Sequence, residues 1–134
     1  MNNLLVNRLA SLPNFSDIPM NELHWIVEHS LFKVYNEGTI VTPKGKPVES
    51  LWIILSGNIS MRVDHGVGAR LVAKWLPGEV TGKLPYSRMI GPPGDNLVME
   101  KTELLSLSVN FFPELINNCP SFTAYTVHLM LDRA

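Results

Sequence analysis

The sequence predicts a mainly β domain: an antiparallel β-roll or jelly roll with N-terminal and C-terminal helices. Three observations point there. Apolar residues recur at helical spacing up to about residue 30, the rhythm drops to two from Leu31, and it returns to helical after Asn110. Between those limits, short β-rich runs alternate with turns that contain glycine, the pattern of a sandwich or jelly roll. The 134 residues suit a single domain, divided into helices over 1–30, a β-roll over 31–109 with a loop at 80–96, and helices over 110–134. A chain of this length buries roughly two thirds of its unfolded surface, so a core forms without metal or disulfide staples.

Leu4, Leu5, Leu9 and Leu12 mark an amphipathic helix over 3–12, ended by Pro13. Asp17 and Pro19 open a second, with Leu23, Ile26 and Val27 on one face through about Ser30. LFKVY is the first strand, Asn36–Glu37–Gly38 a turn, and Thr39–Val41 a short strand before the loop TPKGKP. ESLWIILSG reads as a strand closed by Gly57, and NISMRV as the next, with Ile59, Met61 and Val63 on one face. DHGVG is a hairpin turn and ARLVAKWL another alternating strand. After the loop VTGKLPYSRMIGPPGDN come NLVME and TELLSLS, read as two strands. Asn110 is the expected N-cap of FFPELINN, Cys119–Pro120 breaks that helix, and Ser121 caps SFTAYTVHLMLDRA. No glycine, asparagine or proline stops this last helix after Leu131, which suits either a truncated chain or a helix running on into another module.

Composition narrows the function. A formal net charge of -1 argues against a nucleic-acid-binding surface. One cysteine, Cys119, allows no intrachain disulfide and fits a reducing compartment. No signal peptide or membrane span is evident, so the expectation is a cytoplasmic, soluble domain without membrane insertion. His24, His29, His65 and His128 contain no H-x-H pair of the kind a metal-binding β-roll uses, so no metal site is expected. No G-x-S-x-G elbow or comparable arrangement occurs, and no catalytic residue is assigned. Cys119 reads as a structural thiol. Trp25, Trp52 and Trp75 read most simply as core residues. Phe122, Tyr125, Leu129 and Met130 fit either packing on the roll or a dimer seam.

The element order, together with Asn36–Glu37–Gly38–Thr39–Ile40, Leu51–Trp52–Ile53–Ile54–Leu55–Ser56–Gly57 and Pro77–Gly78–Glu79, resembles the cyclic-nucleotide-binding domain family. That family includes the bacterial catabolite activator and the regulatory subunits of cyclic-nucleotide-dependent kinases. Gly38, Gly57, Gly78 and Gly82 each fall at a family turn. The resemblance implies an eight-stranded roll with a helical lid, and a phosphate-binding cassette after the Pro-Gly-acid turn. In the family, a cassette glutamate takes the ribose 2′-hydroxyl, and an arginine further along neutralises the cyclic phosphate. Here Gly82 and Leu84 match the cassette, but Lys83 stands in the glutamate's place and Pro92 in the arginine's. A charged hydrogen bond is worth about 1.5–3 kcal/mol, so losing both anchors weakens a cyclic nucleotide by several powers of ten.

Ordinary cAMP binding is therefore not expected. The candidate ligand site is the degenerate cassette Gly82, Lys83, Leu84, Pro85, Tyr86, Ser87 and Arg88, with outward-facing N–H groups at one helical turn and Arg88 offering charge to an anionic small molecule or nucleotide. VTGKLPYSRM and FPELINNCPSFTAYTVHLMLDRA are similar to the amino-terminal sensor domain of a group of bacterial histidine kinases. That similarity implies a non-catalytic input module of a two-component system, a downstream kinase module as partner, and a homodimer through the C-terminal helix. The alternative is a ligand-free dimerisation or docking module that has kept the fold.

Overall fold

The computed structural model describes residues 2–133 apart from His65, Val67, Met89 and Ile90. Helix α1 (Asn2–Ala10) and helix α2 (Met20–His29) precede six strands: β1 (Leu31–Tyr35), β2 (Ile40–Thr42), β3 (Ser50–Asp64), β4 (Ala69–Trp75), β5 (Val80–Gly82) and β6 (Asp95–Ser108). A 3-10 turn (Val109–Phe111), helix α3 (Phe112–Asn118) and helix α4 (Pro120–Arg133) follow. All strand pairs are antiparallel. The long strands β3 and β6 form a central ribbon from Ser50↔Ser108 to Arg62↔Asp95. β1 and β2 flank β6, while β5 and β4 flank β3. The sheet is open and does not close into a barrel.

The strand count corrects the reading of Gly57 as a stop. ESLWIILSG and NISMRV are one strand, and NLVME and TELLSLS are another. Gly57 makes a bulge: the β3–β6 register shifts between Ile54 and Ser56, again before Asn58, and again before Ile59. It sits at φ +99°, and a Cβ there would lie 2.6 Å from the Thr102 Cα and 2.7 Å from the Lys101 carbonyl. Thr102 then takes over the interrupted ladder, its Oγ1 accepting from Asn58 N at 3.0 Å and donating to Glu100 O at 2.9 Å. The ribbon bends there and stays paired.

Period-two alternation explains why LWIIL is apolar throughout. Leu51, Ile53 and Leu55 face the helices, joining Leu105, Leu107, Leu9, Leu23 and Phe122 in one core. Trp52 and Ile54 face the opposite way, into a second core with Ile59, Val98 and Leu104 inside the roll. Both faces of this strand are buried. Arg8 of α1 donates to Glu103 Oε1 at 2.8 Å, as Ser56 Oγ does at 2.9 Å. The Arg8 and Ser56 hydrogen bonds hold the Glu103 carboxyl below the usual carboxylate range.

The C-terminal helices are capped differently from the expectation. Ser108 Oγ, not Asn110, accepts at the start of the 3-10 turn, from Asn110 N at 3.2 Å. α4 begins at Pro120, and its open N–H groups reach a distant acceptor: buried Glu22 of α2 accepts from Ser121 N at 3.3 Å and Phe122 N at 2.9 Å. Phe122, Tyr125, Leu129 and Met130 pack on the first core of their own chain, with Phe15 and Phe122 stacked at 6.0 Å between ring centroids.

Cys119 lies fully buried beneath this cap and donates from Sγ to Glu22 O at 3.7 Å. Burial, and after it the charge of Glu22, push the thiol from an ordinary 9.0 up to about 12. The unfolded thiol ionises near pH 9 while the folded one stays protonated, so this contribution is complete below pH 9 and is lost as pH rises toward 12. Between pH 8 and pH 10 the wild type is therefore expected to lose about 1 kcal/mol more stability than Cys119→Ala in urea unfolding. Equal losses in the two proteins contradict it.

Candidate functional site

The site is built where the cassette loop, the roll and the end of α4 meet around a cavity of about 620 Å³. That volume is ordinary for a small-molecule pocket. Gly82 closes β5 opposite Leu51 and starts the cassette. Its φ is +78°, and a Cβ would strike the Ser50 carbonyl oxygen and sit 3.3 Å from the Trp52 ring, so only glycine brings the loop this close to the cavity wall. Lys83 N then donates to Ser50 O at 2.9 Å, fastening the loop to the sheet.

The next residues make a tight turn and not the single helical turn anticipated. Ser87 N donates to Leu84 O at 3.0 Å, with Pro85 and Tyr86 between them. Pro85 suits the first of those central positions, and Tyr86 holds φ +69°, a conformation usually left to glycine or asparagine. The amide hydrogens of Lys83 and Ser87 are thus spent inside the protein. Leu84 and Pro85 are buried, Tyr86 stands 67% exposed at the rim, and Arg88 is exposed beside it. Gly82, Leu84, Tyr86, Ser87 and Arg88 line the cavity, whereas Lys83 and Pro85 do not. Of the loop's remainder, Pro92 and Pro93 line it too, and Met89 and Ile90 lie outside the described residues.

The walls come from the roll. Trp52 and Trp75 face the cavity with Met61 and Val72, and Asn96 sits behind them. Asn96 Oδ1 accepts from Trp75 Nε1 at 3.4 Å, while its Nδ2 donates to Thr42 Oγ1 at 2.7 Å. Both ends of that amide are engaged, which fixes the Trp75 ring. Trp25 is elsewhere, stacked on His29 at 4.0 Å, whose Nδ1–H donates to Trp25 O at 2.7 Å. Among the described residues, no group of three or more His, Cys, Asp or Glu gathers as a metal site.

α4 closes the remaining side with Met130 and Arg133. The Arg133 guanidinium donates to Val80 O at 2.7 Å, lies 4.8 Å from the Trp75 ring centroid, and approaches Glu79 Oε2 at 3.8 Å. Burial pulls its pKa down, while Glu79 and then Tyr125 pull it back up. Burial raises the Tyr125 phenol in turn, with Glu79 adding to the rise. Arg133 therefore joins the end of the lid to the strand that leads into the cassette.

No family profile matches the chain, and no curated protein does. Solved structures do. The Thermus thermophilus catabolite activator protein superposes with TM-score 0.74 at 21% identity, over 94% of this chain and 57% of that one. A cyclic nucleotide-binding domain from Methylobacillus flagellatus superposes with TM-score 0.73 at 17% identity, over 98% and 74%. The regulatory subunit of a cAMP-independent protein kinase A from Trypanosoma cruzi, bound to guanosine, superposes with TM-score 0.76 at 15% identity, over 96% and 44%. The chain has the fold of the cyclic-nucleotide-binding domains.

The chain spans about half the length of the kinase regulatory subunits it matches. The structure also shows where the two residues expected to depart from the family cassette, Lys83 and Pro92, are spent. Lys83 does not line the cavity and donates from Nζ to Ser87 O at 2.7 Å, bracing the turn. Pro92 presents an apolar ring to the cavity while its carbonyl accepts from Gly45 N at 3.0 Å. Arg133, Trp52 and Trp75 are the site residues that sequence reasoning undervalued. Only Trp75, just ahead of Pro77–Gly78, carried a positional hint. No helix among the described residues is long and apolar enough to cross a membrane.

Proposed function

We propose that this is a non-catalytic sensory domain in which occupancy of the cavity sets the position of α4. One observation carries the reading: Arg133 and Met130 of the lid line the same cavity as the cassette, and Arg133 is already bound to Val80 and Trp75. A molecule that competes for the guanidinium or fills the space against Met130 has different affinities for the two helix positions, the thermodynamic requirement for a switch. An input role ahead of a bacterial histidine kinase is supported by the similarity of VTGKLPYSRM and the α3–α4 sequence to such sensor domains. Lys83 spent on the Ser87 carbonyl and Pro92 in the arginine's place support a ligand other than cAMP held in the usual way. The guanosine-bound Trypanosoma cruzi subunit is a precedent for this fold with a ligand that lacks a cyclic phosphate.

The test is hydrogen exchange on α4. Arg133→Met removes a partly exposed charged hydrogen bond and a cation–π contact, together about 1–2 kcal/mol. Amides from Val127 to Arg133 are expected to exchange about five- to thirtyfold faster, with the turn beneath Glu22 unchanged. A ligand found by calorimetry with nucleotides and simple anions should change exchange in the same segment. Unaltered α4 protection in both experiments defeats the sensory reading. The second reading, dimerisation through α4, rests on Ala124, His128 and Leu131, which stay exposed along that helix. Sedimentation at increasing concentration decides it, since a persistent monomer ends it.

A further inference from the structure

We infer that the cavity takes a flat apolar or aromatic molecule bearing one carboxylate. This ligand class rests on the sensory reading of the same site and specifies its chemistry. The body of the molecule is read from the walls. Trp52 and Trp75 supply aromatic faces, and Met61, Leu84, Pro92 and Met130 supply apolar surface, with Met130 and Met61 able to adapt to an irregular outline. A sugar ring finds no carboxylate there. Among the described lining residues no aspartate or glutamate is present to accept from its hydroxyls, and Asn96 is committed at both ends to Trp75 and Thr42.

The charge is read from the rim. The two side chains among the described lining residues that carry charge at neutral pH are both arginines, Arg88 and Arg133, so the cavity favours an anion. Arg133 is occupied by Val80 O, yet a guanidinium carries five N–H donors in a planar fork suited to a carboxylate. Arg88 makes no ion pair or hydrogen bond among the described residues and is exposed. A carboxylate at the mouth meets Arg88 from the cassette and Arg133 from the lid, while its apolar body lies against the two tryptophans. One anionic group suffices, because no third charged side chain among the described lining residues serves a second.

The experiment is calorimetric titration of the chain with 2-naphthoate, its uncharged counterpart 2-naphthalenemethanol, guanosine, cAMP and inorganic phosphate, with tryptophan emission followed in parallel. The expected result is that 2-naphthoate binds at least tenfold more tightly than the alcohol, as loss of a charged hydrogen bond implies, and quenches emission. Arg88→Gln, an exposed substitution, should remove most of that advantage and leave the weak binding of the alcohol unchanged. The inference is overturned if the alcohol binds as well as the acid, if guanosine or cAMP binds more tightly, if phosphate alone matches 2-naphthoate, or if 2-naphthoate gives no heat. Hydrogen exchange separates the two claims. Binding of 2-naphthoate with α4 unmoved defeats the sensory reading and keeps the ligand class, whereas a nucleotide that moves α4 while 2-naphthoate fails to bind does the reverse.

Discussion

Glu22→Ala is expected to lower the unfolding free energy by about 3 kcal/mol and Tm by roughly ten degrees. Glu22 is 3% exposed, and its two oxygens accept from Ser121 N and Phe122 N at the head of α4. Removal costs more than an ordinary surface cap, worth about 0.5–2 kcal/mol, because Phe122 N is buried and water does not replace the lost acceptor. The alanine also leaves a cavity at the junction of α2, α3 and α4. Glu22→Gln keeps one carbonyl oxygen and should lose about half as much. Urea and thermal unfolding of both variants measure this. A loss under about 0.5 kcal/mol for the alanine would mean that α4 is held by its apolar face alone.

Gly57→Ala is expected to cost at least about 3 kcal/mol, or to prevent folding. Two effects add. The left-handed backbone disfavours any side chain by about 1–2 kcal/mol, and the new methyl meets the Thr102 backbone and the Lys101 carbonyl, which cannot withdraw without opening the β3–β6 ribbon. Gly66→Ala is the control. Its φ is +97° but, its chain neighbours aside, no described residue lies within 4 Å of an added Cβ, so it should lose only the conformational part. Chemical denaturation of the pair separates strain from collision. Equal losses would show that the ribbon opens at the bulge at no cost.

Most of the fold is legible in the sequence because it depends on local periodicity. The switch from helical spacing to alternation at Leu31, and the Asn36–Gly38 and Pro77–Glu79 turns, sit where the residues place them. What misleads is Gly57. A glycine at positive φ serves a turn and a bulge equally, and the difference is made by Thr102, far along the chain and able to repair the ladder with its hydroxyl. The same limit hides Glu22. Within α2 it is one more acid in a first turn, and its partners lie 99 and 100 residues away.

The candidate site divides in the same manner. The loop after β5 is readable from glycine spacing, and Gly82 is held to glycine by the Ser50 carbonyl and the Trp52 ring. The fate of Lys83 is not readable, since its brace to Ser87 exists only once Pro85 and Tyr86 have turned the chain. Arg133 reads as an ordinary basic residue in a last helical turn, which favours cations there. Its contact with Val80 appears only when α4 is laid across the sheet.

The two fastenings of α4 are unequal, and this gives the helix a mechanical character. Fourteen residues at about 1.5 Å each make a rod roughly 21 Å long. The Glu22 end is sealed in the interior and acts as a pivot, while the Arg133 end rests on a half-exposed clasp. Releasing the clasp costs little, and a swing of about ten degrees carries the far tip some 3–4 Å, by the same helix geometry. On the proposed sensory reading, a lever of these proportions would turn an event the size of one displaced guanidinium into a movement large enough for a neighbouring protein surface to feel.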